Sequence, residues 1–525
     1  MKKLVTLLLA AGLVFGSMTC ASAVEFNAKG WWWMAFDYAG GGDFTSKTRQ
    51  GVNKAGSRQQ APHLGMDNFE AWNRLMFKLD AKASENLSGT VMFEIGDQFW
   101  GQAATGGALG ADGTVVEVKN AYIDWTVPNS ALKLRMGIQG LALPGFTFES
   151  NVFIDDVAAI TASYKFNDTV SATAFWARPY NDNHVQNNNV NGLHSPTGFM
   201  DNMDMFGLMV PLRFEGVSVT PWIMAASVGP NVLALSANGN AAVTNPRVIN
   251  PQAGQTWGQF SNGMMPAAFA SGKTNWNQNY ATGIWGGVTG SITAADPWKI
   301  GWDVNYGSLT GNQTYLNRSG WLANALIEYK LDWGTPGLYG WYSSGDDSNV
   351  KNGSERMPVI SLVNVGGDSY SNFGFRASPW VNNEGALGGG VVGTWGVGAR
   401  IKDMSFLEGL SHTLLVNYFG GTNATKMASY ITGRQDATGA GVPVYRRWTD
   451  FNSNYGVYLT EADTGIEVNL NSQYKIYENL TMLVELGYIH LWLDDGAWGR
   501  YGTLPGDTLN YQDAFKVSLG FMYAF

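Results

Sequence analysis

The stretch LMFKLDAKASENLSGTVMFEI, residues 75–95, decides how this chain folds. Leu75, Phe77 and Leu79 share one side, with Arg74, Lys78 and Asp80 on the other. After a short Ser84-Glu85-Asn86 turn, Leu87, Val91, Phe93 and Ile95 alternate with Ser88, Thr90 and Glu94. A two-residue period places neighbouring side chains on opposite faces, as an extended strand does and a helix does not. Two such runs joined by a tight polar turn read as a β-hairpin.

The rhythm continues in both directions. Upstream, Phe26, Ala28, Gly30, Trp32, Met34, Phe36 and Tyr38 face away from Asn27, Lys29 and Asp37. Downstream, strands are expected near 114–127, 131–139, 157–166, 169–179, 202–214, 217–229, 280–294, 298–309, 321–333, 336–345, 390–402, 409–420, 462–477, 480–493 and 511–525. That makes about 18 strands, with 16 as the other even count. Compact turns such as Asn129-Ser130, Asn167-Asp168, Glu215-Gly216, Gly334-Thr335 and Glu478-Asn479 alternate with long polar loops at 39–66, 180–201, 230–279, 346–389 and 421–461. Loops of that length fit poorly in a compact soluble domain. No repeat of propeller or solenoid length is evident.

Composition narrows the class. Only 14% of the 525 residues are charged and 66 are glycine, far from the ~25% charge and ~7% glycine of ordinary soluble chains. With 21 Trp, 22 Tyr and 26 Phe, the chain is the opposite of a disordered one. Residues 1–23 carry Lys2, Lys3, an apolar run and Ala21-Ser22-Ala23, the pattern of a cleaved secretory signal. A lipoprotein signal ending at Cys20 would want a leucine-like residue where Ser17 stands. The expected mature chain, residues 24–525, is a single domain without cysteine. Loss of Lys2 and Lys3 leaves 31 basic residues against 42 acidic, a formal −11 that argues against a nucleic-acid partner. No other segment has the ~20 consecutive apolar residues of a membrane helix, so a membrane crossing would require a closed barrel.

The expected fold is therefore all-β, an antiparallel transmembrane barrel with short periplasmic turns and long extracellular loops. Its interior should hold water and its inner wall should be polar. The alternation places Arg74, Lys78, Lys133, Arg135, Lys299, Arg400 and Lys402 inside as channel-lining residues, with Leu75, Phe77, Leu132, Leu134, Val397 and Ile401 facing lipid. A one-residue slip would put the bases in hydrocarbon, at roughly 2–4 kcal/mol each near the midplane.

The chain ends GFMYAF, with Leu519, Phe521, Tyr523 and Phe525 on one face. This resembles the terminal strand of Gram-negative outer-membrane barrels, which implies that Phe525 is read by the barrel assembly machinery. ENLSGTVMFEI (85–95), KNAYIDW (119–125) and LKLRMGIQG (132–140) resemble the paired strands that precede a porin's constriction loop. Together with the tryptophan-rich first strand, the whole is most similar to the homotrimeric outer-membrane porins of sulfate-reducing bacteria. The resemblance implies a homotrimer in the outer membrane of a Gram-negative bacterium, in contact with lipid and lipopolysaccharide, passing small hydrophilic solutes and ions. By position, the loop from Gly140 to Asp156 would then fold into the lumen, carrying Glu149, Asp155 and Asp156 with Phe146, Phe148 and Phe153 as wall anchors. Acids on that loop facing bases on the wall would create a transverse field. Of the PEFGG-like motif common in such loops, only Pro144-Gly145-Phe146 is present. A solvated external loop is the other reading.

The remaining signals are weaker. Trp and Tyr at strand ends suit interfacial girdles, while Trp31, Trp33 or Trp72 could instead line a sugar-guiding track. His63, His184, His194, His412 and His490 are scattered, with no HExxH or GxSxG, so no enzyme is expected. Gly272-Lys273-Thr274 lacks the first glycine of a phosphate loop, since Ala267 stands there. Asp346-Asp347-Ser348-Asn349 and Asp494-Asp495 could hold calcium, but solvated acidic loops are the plainer reading and no cofactor is expected. The rivals to a general pore are a channel specific for sugars or oxyanions, an outer-membrane barrel hydrolase and a soluble glycan-binding β-protein.

Overall fold

A computed structural model describes residues 24–40, 68–103, 105–110, 116–147, 149–150, 152–181, 202–229, 279–362, 370–375, 386–387, 390–431, 458–498 and 513–525. Eighteen strands wall the molecule: β1 (Glu25–Gly40), β2 (Asn68–Ser84), β3 (Leu87–Phe99), β4 (Val116–Thr126), β5 (Leu132–Ala142) and β6 (Phe153–Lys165). Next come β7 (Ser171–Asn181), β8 (Asn202–Met209, resuming at Leu212–Phe214), β9 (Val217–Val228), β10 (Ala281–Ile292), β11 (Trp298–Thr310) and β12 (Arg318–Tyr329). The wall is completed by β13 (Thr335–Ser343), β14 (Thr394–Leu407), β15 (Leu410–Gly421), β16 (Thr464–Tyr477), β17 (Leu480–Trp492) and β18 (Ala514–Ala524). Each wall strand pairs antiparallel with its neighbours in chain order, and β1 pairs with both β2 and β18. Closure leaves no unpaired edge, the condition for a sheet to sit in lipid. The break in β8 falls at Val210-Pro211, where proline has no N–H for the ladder.

The seam between β18 and β1 is tight. The N–H of Phe525 bonds the Gly30 carbonyl and the N–H of Gly30 returns a bond to Phe525, both at 2.9 Å. A methyl group at Gly30 would fall 2.4 Å from the Met76 carbonyl oxygen and 2.9 Å from the Phe525 ring, so the last residue closes the barrel only over a glycine.

Alternation of burial follows alternation of sequence. Along β12, Trp321, Ala325 and Ile327 are exposed on the outer face while Leu322, Asn324, Leu326 and Glu328 are buried within. Along β18, Val517 and Tyr523 face out and Lys516 and Ser518 face in. Aromatic pairs decorate the outer face at both ends: Trp298–Tyr329 and Tyr523–Phe525 near the short turns, Trp321–Tyr342 and Tyr418–Trp492 near the long loops. Amphipathic rings at two levels are what two lipid–water boundaries favour.

Two expectations are corrected. The inner wall is not polar throughout: Met203, Met205, Met224, Trp285, Leu309, Leu322 and Phe419 point inward and are buried. The reason is that chain from the long-loop end turns into the lumen and packs there. Val350, Met357, Val359, Ile360, Tyr370, Phe373 and Phe375 belong to the same apolar cluster as the wall side chains. The second correction concerns β6, which begins at Phe153. Asp155 and Asp156 therefore sit in the wall ladder, opposite Leu141 and Gly140, and not in the preceding loop. The ladder extends that far because the β5–β6 pair keeps its register up to Ala142 and Ile154.

Candidate functional site: the lumen and its in-folded loops

Residues 143–147 leave β5 for the lumen, where Phe146 and Thr147 rest on β11. There the Asp303 carboxylate accepts the backbone N–H groups of Phe146 (2.8 Å) and Thr147 (2.9 Å), along with the hydroxyls of Thr147 and Thr289. Asp303 is 1% exposed, and four donors meet its oxygens in place of water. Phe146 lies against Gly301, and the Lys299 ammonium stands 5.0 Å from the Phe146 ring centroid. The expected polarity is thus inverted at this contact: the wall provides the acid and the loop provides backbone donors. Glu149 is half-buried on the loop, while the position of Phe148 lies outside the described residues.

A second segment, between β13 and β14, folds in from the opposite side. Its Tyr370 ring stacks on Tyr339 at 3.9 Å between centroids, and Phe375 meets Trp341 and Phe419 edge-on. One wall carboxylate again holds the backbone: Glu467 accepts the N–H groups of Phe373 (3.2 Å) and Gly374 (3.0 Å) and the Ser371 hydroxyl (2.9 Å). Lys516, buried on β18, bonds Glu485 and the Asn372 carbonyl, each at 3.0 Å. The two segments meet in the lumen. Ser361–Leu362 runs parallel to Phe153–Ile154 at the start of β6, and the Ile360 N–H bonds the Val152 carbonyl at 2.8 Å. On the way, the Pro358 carbonyl accepts the indole N–H of Trp285 on β10 (2.8 Å).

Above these contacts lies a polar knot of Asp346, Ser354, Arg356 and Tyr458. Asp346 accepts the hydroxyls of Ser354 and Tyr458, and Arg356 donates to the Val392 carbonyl while stacking over the Tyr458 ring. Burial lowers the Arg356 guanidinium from its ordinary value; burial, with Asp346 alongside, pushes the Tyr458 hydroxyl well above its own. The candidate calcium acids are engaged by their own chain. Asp347 accepts the Asn349 N–H (2.6 Å) and the Asn352 amide (3.1 Å), and Asp494 caps the Ala497 N–H (2.6 Å). Among the described residues no cluster of three acids, histidines or cysteines has metal-holding geometry.

The predicted lining residues divide sharply. Arg74 is bidentate on Asp97 (2.7 and 2.8 Å), pairs with Glu94 at 3.2 Å and lies 5.8 Å from the rings of both Trp33 and Trp72. Lys119 continues the chain of charge to Glu94 and Asp156. Lys78 pairs with Asp80, which also accepts the Thr90 hydroxyl. Arg135 is bidentate on Asp124 and stacks on Tyr122. Arg400 faces inward but is covered, 2% exposed beneath the second segment and bonded to Glu328; its expected place on an open wall is corrected by that cover. Lys133 is exposed on the inner face near a short turn, and Lys402 sits opposite Thr335 on the same wall. Trp31, Trp33 and Trp72 share the inner face with Arg74, and the Trp72 indole donates to Asp37 at 2.8 Å. His412 bonds Ser472 and His490 bonds Asp513 on the outer face; His63, His184 and His194 lie outside the described residues.

No protein-family profile matches the sequence, and no curated protein matches it. Solved structures similar to this one include Acinetobacter baumannii OccAB3, at 11% identity and TM-score 0.47 over 95% of this chain and 99% of that one. Pseudomonas aeruginosa OprD aligns at 9% identity and TM-score 0.45, over 95% and 96% of the two chains. The P. aeruginosa outer membrane protein OpdK aligns at 9% identity and TM-score 0.46, over 95% and 99%.

Proposed function

We propose that this chain is an outer-membrane porin, a channel through which small hydrophilic solutes and ions diffuse down their gradients. One observation carries the reading: an antiparallel barrel closed by β1 on β18, oily outside and lined at its turn end by Lys, Ser and Thr. Exposed Phe26, Ile223, Val304, Leu338, Val397 and Val517 have no place on a water-soluble β-protein, whereas lipid would cover them. In this orientation the short turns are periplasmic and the long loops extracellular. The two in-folded segments set the width, and 143–152 is the constriction. No covalent chemistry is part of the mechanism; passage depends on fit and charge.

Reconstitution of the full chain in planar bilayers tests this: discrete conductance steps are expected, and ion-tight membranes at saturating protein would end the porin reading. Replacing Phe146–Ser150 by a short glycine–serine link should raise the step size; an unchanged step would remove the constriction and leave the barrel.

A second reading, a channel selective for sugars or oxyanions, is favoured by the Trp31, Trp33, Trp72 and Arg74 group on the inner wall, which offers ring faces beside a guanidinium. Block of single-channel current by one solute class would support it. Following the sequence resemblance, the assembly is a homotrimer in lipopolysaccharide-containing membrane, inserted through the Phe525 end after removal of residues 1–23. Cross-linking in intact outer membranes should give a trimer-sized band, and a monomer alone would overturn that assembly.

A further inference from the structure

Base–acid pairing on the inner wall changes with height. Towards mid-barrel the inward bases have acids beside them: Arg74 with Asp97 and Glu94, Arg135 with Asp124, Arg400 with Glu328, Lys516 with Glu485. At the turn end the pairing is only partial: Lys165 meets Asp168 and Lys299 meets Glu328, but other bases have no such acid. Lys29, Lys82, Lys133, Arg213 and Lys475 occupy inward register positions, are exposed, and form no ion pair with another described residue. They stand on β16, β1, β2, β5 and β8, an arc of the closed wall from β16 round to β8, with none of the five on β9 to β15.

Their neighbours on the same face are hydroxyls. Lys82 lies opposite Ser88, Lys133 opposite Thr126 and Ser163, Arg213 opposite Ser218, and Lys475 opposite Thr481. Lys29 lies directly opposite another base, Lys78. Like charges in direct register weaken a sheet, so a fold free to choose would avoid the pair. Asp80, the inward acid closest to these two, is already bonded by Lys78 and the Thr90 hydroxyl. Glu25, opposite Lys82, is the inward acid at this level on β1. The other nearby acids, including Glu85, Glu215, Glu408 and Glu478, are on the turns themselves. Three residues of strand separate Lys82 from Glu85, roughly 10 Å along the wall, about one screening length at physiological salt. The inner collar therefore acts on solute in the mouth with little cancellation from the turns.

We propose that this collar makes the channel anion-selective, with Lys29, Lys82, Lys133, Arg213 and Lys475 setting the preference at the periplasmic mouth. The inference rests on the porin reading and names the solute class that reading leaves open: small hydrated anions. Ammonium and guanidinium groups raise the local anion concentration, and the surrounding Ser and Thr hydroxyls replace part of an anion's hydration by donating to it.

The test is reversal potential across a potassium chloride gradient, using the full chain in planar bilayers. The wild type should favour chloride over potassium by roughly 2–5-fold. The variant carrying Lys29→Glu, Lys133→Glu and Lys475→Glu should reverse that sign, and the corresponding Gln variant, which adds no repulsion to folding, should bring the ratio near unity. Glu85→Gln with Glu478→Gln should leave the sign unchanged. Potassium selectivity in the wild type, or a ratio unmoved in both triple variants, overturns the collar while the channel stands. Absence of any conductance removes the channel and the collar together.

Discussion

At the loop end, the inner faces of β8 to β17 carry Met203, Met224, Trp285, Leu322 and Phe419, buried under in-folded chain. At the turn end the barrel's inner face carries Ser163, Thr173, Ser291 and Thr413, partly open, with Lys133, Arg213 and Lys475, which form no ion pair with another described residue. One barrel thus has two interiors. The upper one is a protein core that happens to lie inside a sheet, where each carboxylate that holds a loop is satisfied by several donors. The lower one is a wet surface folded into a cylinder, where unpaired charge costs little because water and mobile ions remain. Substitutions of one kind should therefore have opposite consequences at the two levels.

The sharpest break in this contrast is at Asp303. Asp303→Ala strands the N–H groups of Phe146 and Thr147 and the hydroxyls of Thr147 and Thr289. With roughly 1–3 kcal/mol for each buried donor left unmet, the loss amounts to several kcal/mol unless the loop leaves the lumen. Either a large fall in the temperature at which the barrel loses its compact gel mobility or a larger conductance step is expected. A variant unchanged in both would show that Asp303 does not hold the loop. Next in size is a comparison of faces. Leu519→Arg places a charge on the lipid side of β18 and should cost about 2–4 kcal/mol. Thr413→Arg, inward near the turn end, should stay within about 0.5 kcal/mol. Equal unfolding midpoints for the two in detergent would place the faces wrongly.

The wall was legible in the sequence because lipid lies on one side only, and the two-residue alternation of 75–95 or 515–525 records that asymmetry locally. Eighteen strands, the alternation of short and long connections, and the inward placement of Arg74, Lys78, Lys133 and Arg135 all follow from it. The filling of the lumen was not legible in the same way, since Phe146 and Asp303 are 157 positions apart and leave no common periodicity. A weaker signal did exist. Where a loop lies on the wall, the wall residue is glycine: a methyl group at Gly301 would fall 1.9 Å from the Phe146 ring, and one at Gly487 would fall 2.8 Å from Phe373. Inward glycines two residues from an inward acid, as Gly301 with Asp303 and Gly487 with Glu485, mark seats for incoming chain. The expectation that a wide barrel must have a polar inner wall hid that pattern.

Glu467 allows a finer version of the Asp303 experiment. Glu467→Gln keeps one carbonyl oxygen for the Phe373 or Gly374 N–H but turns the other position into a donor, facing Ser371, Asn417 and Asn469. A loss of about 1–3 kcal/mol in the unfolding midpoint is expected, with Glu467→Ala costing more. If Gln and Ala variants fall together, the charge and not the acceptor count holds the second segment.

The smallest effect comes from Glu355, a half-buried carboxylate on the segment between β13 and β14. Glu355 accepts the Asp347 N–H and the Asn352 amide, each at 2.9 Å. Burial lifts its carboxyl above the ordinary 4.5, and Asp346 and Asp347 add to the rise, against the backbone bond from Asp347. A carboxyl raised in the folded state binds its proton more tightly there than in the unfolded chain. Between the unfolded value and the raised one the native barrel holds more protons, so stability falls as pH climbs from 4.5 through that window and is flat above it. Glu355→Gln should remove this slope and leave the remaining pH dependence intact, as read by unfolding midpoints at closely spaced pH values. A wild-type slope of the opposite sign there would mean that Glu355 is stabilised as the anion, held by its hydrogen bonds more strongly than it is disfavoured by burial and by the acids beside it.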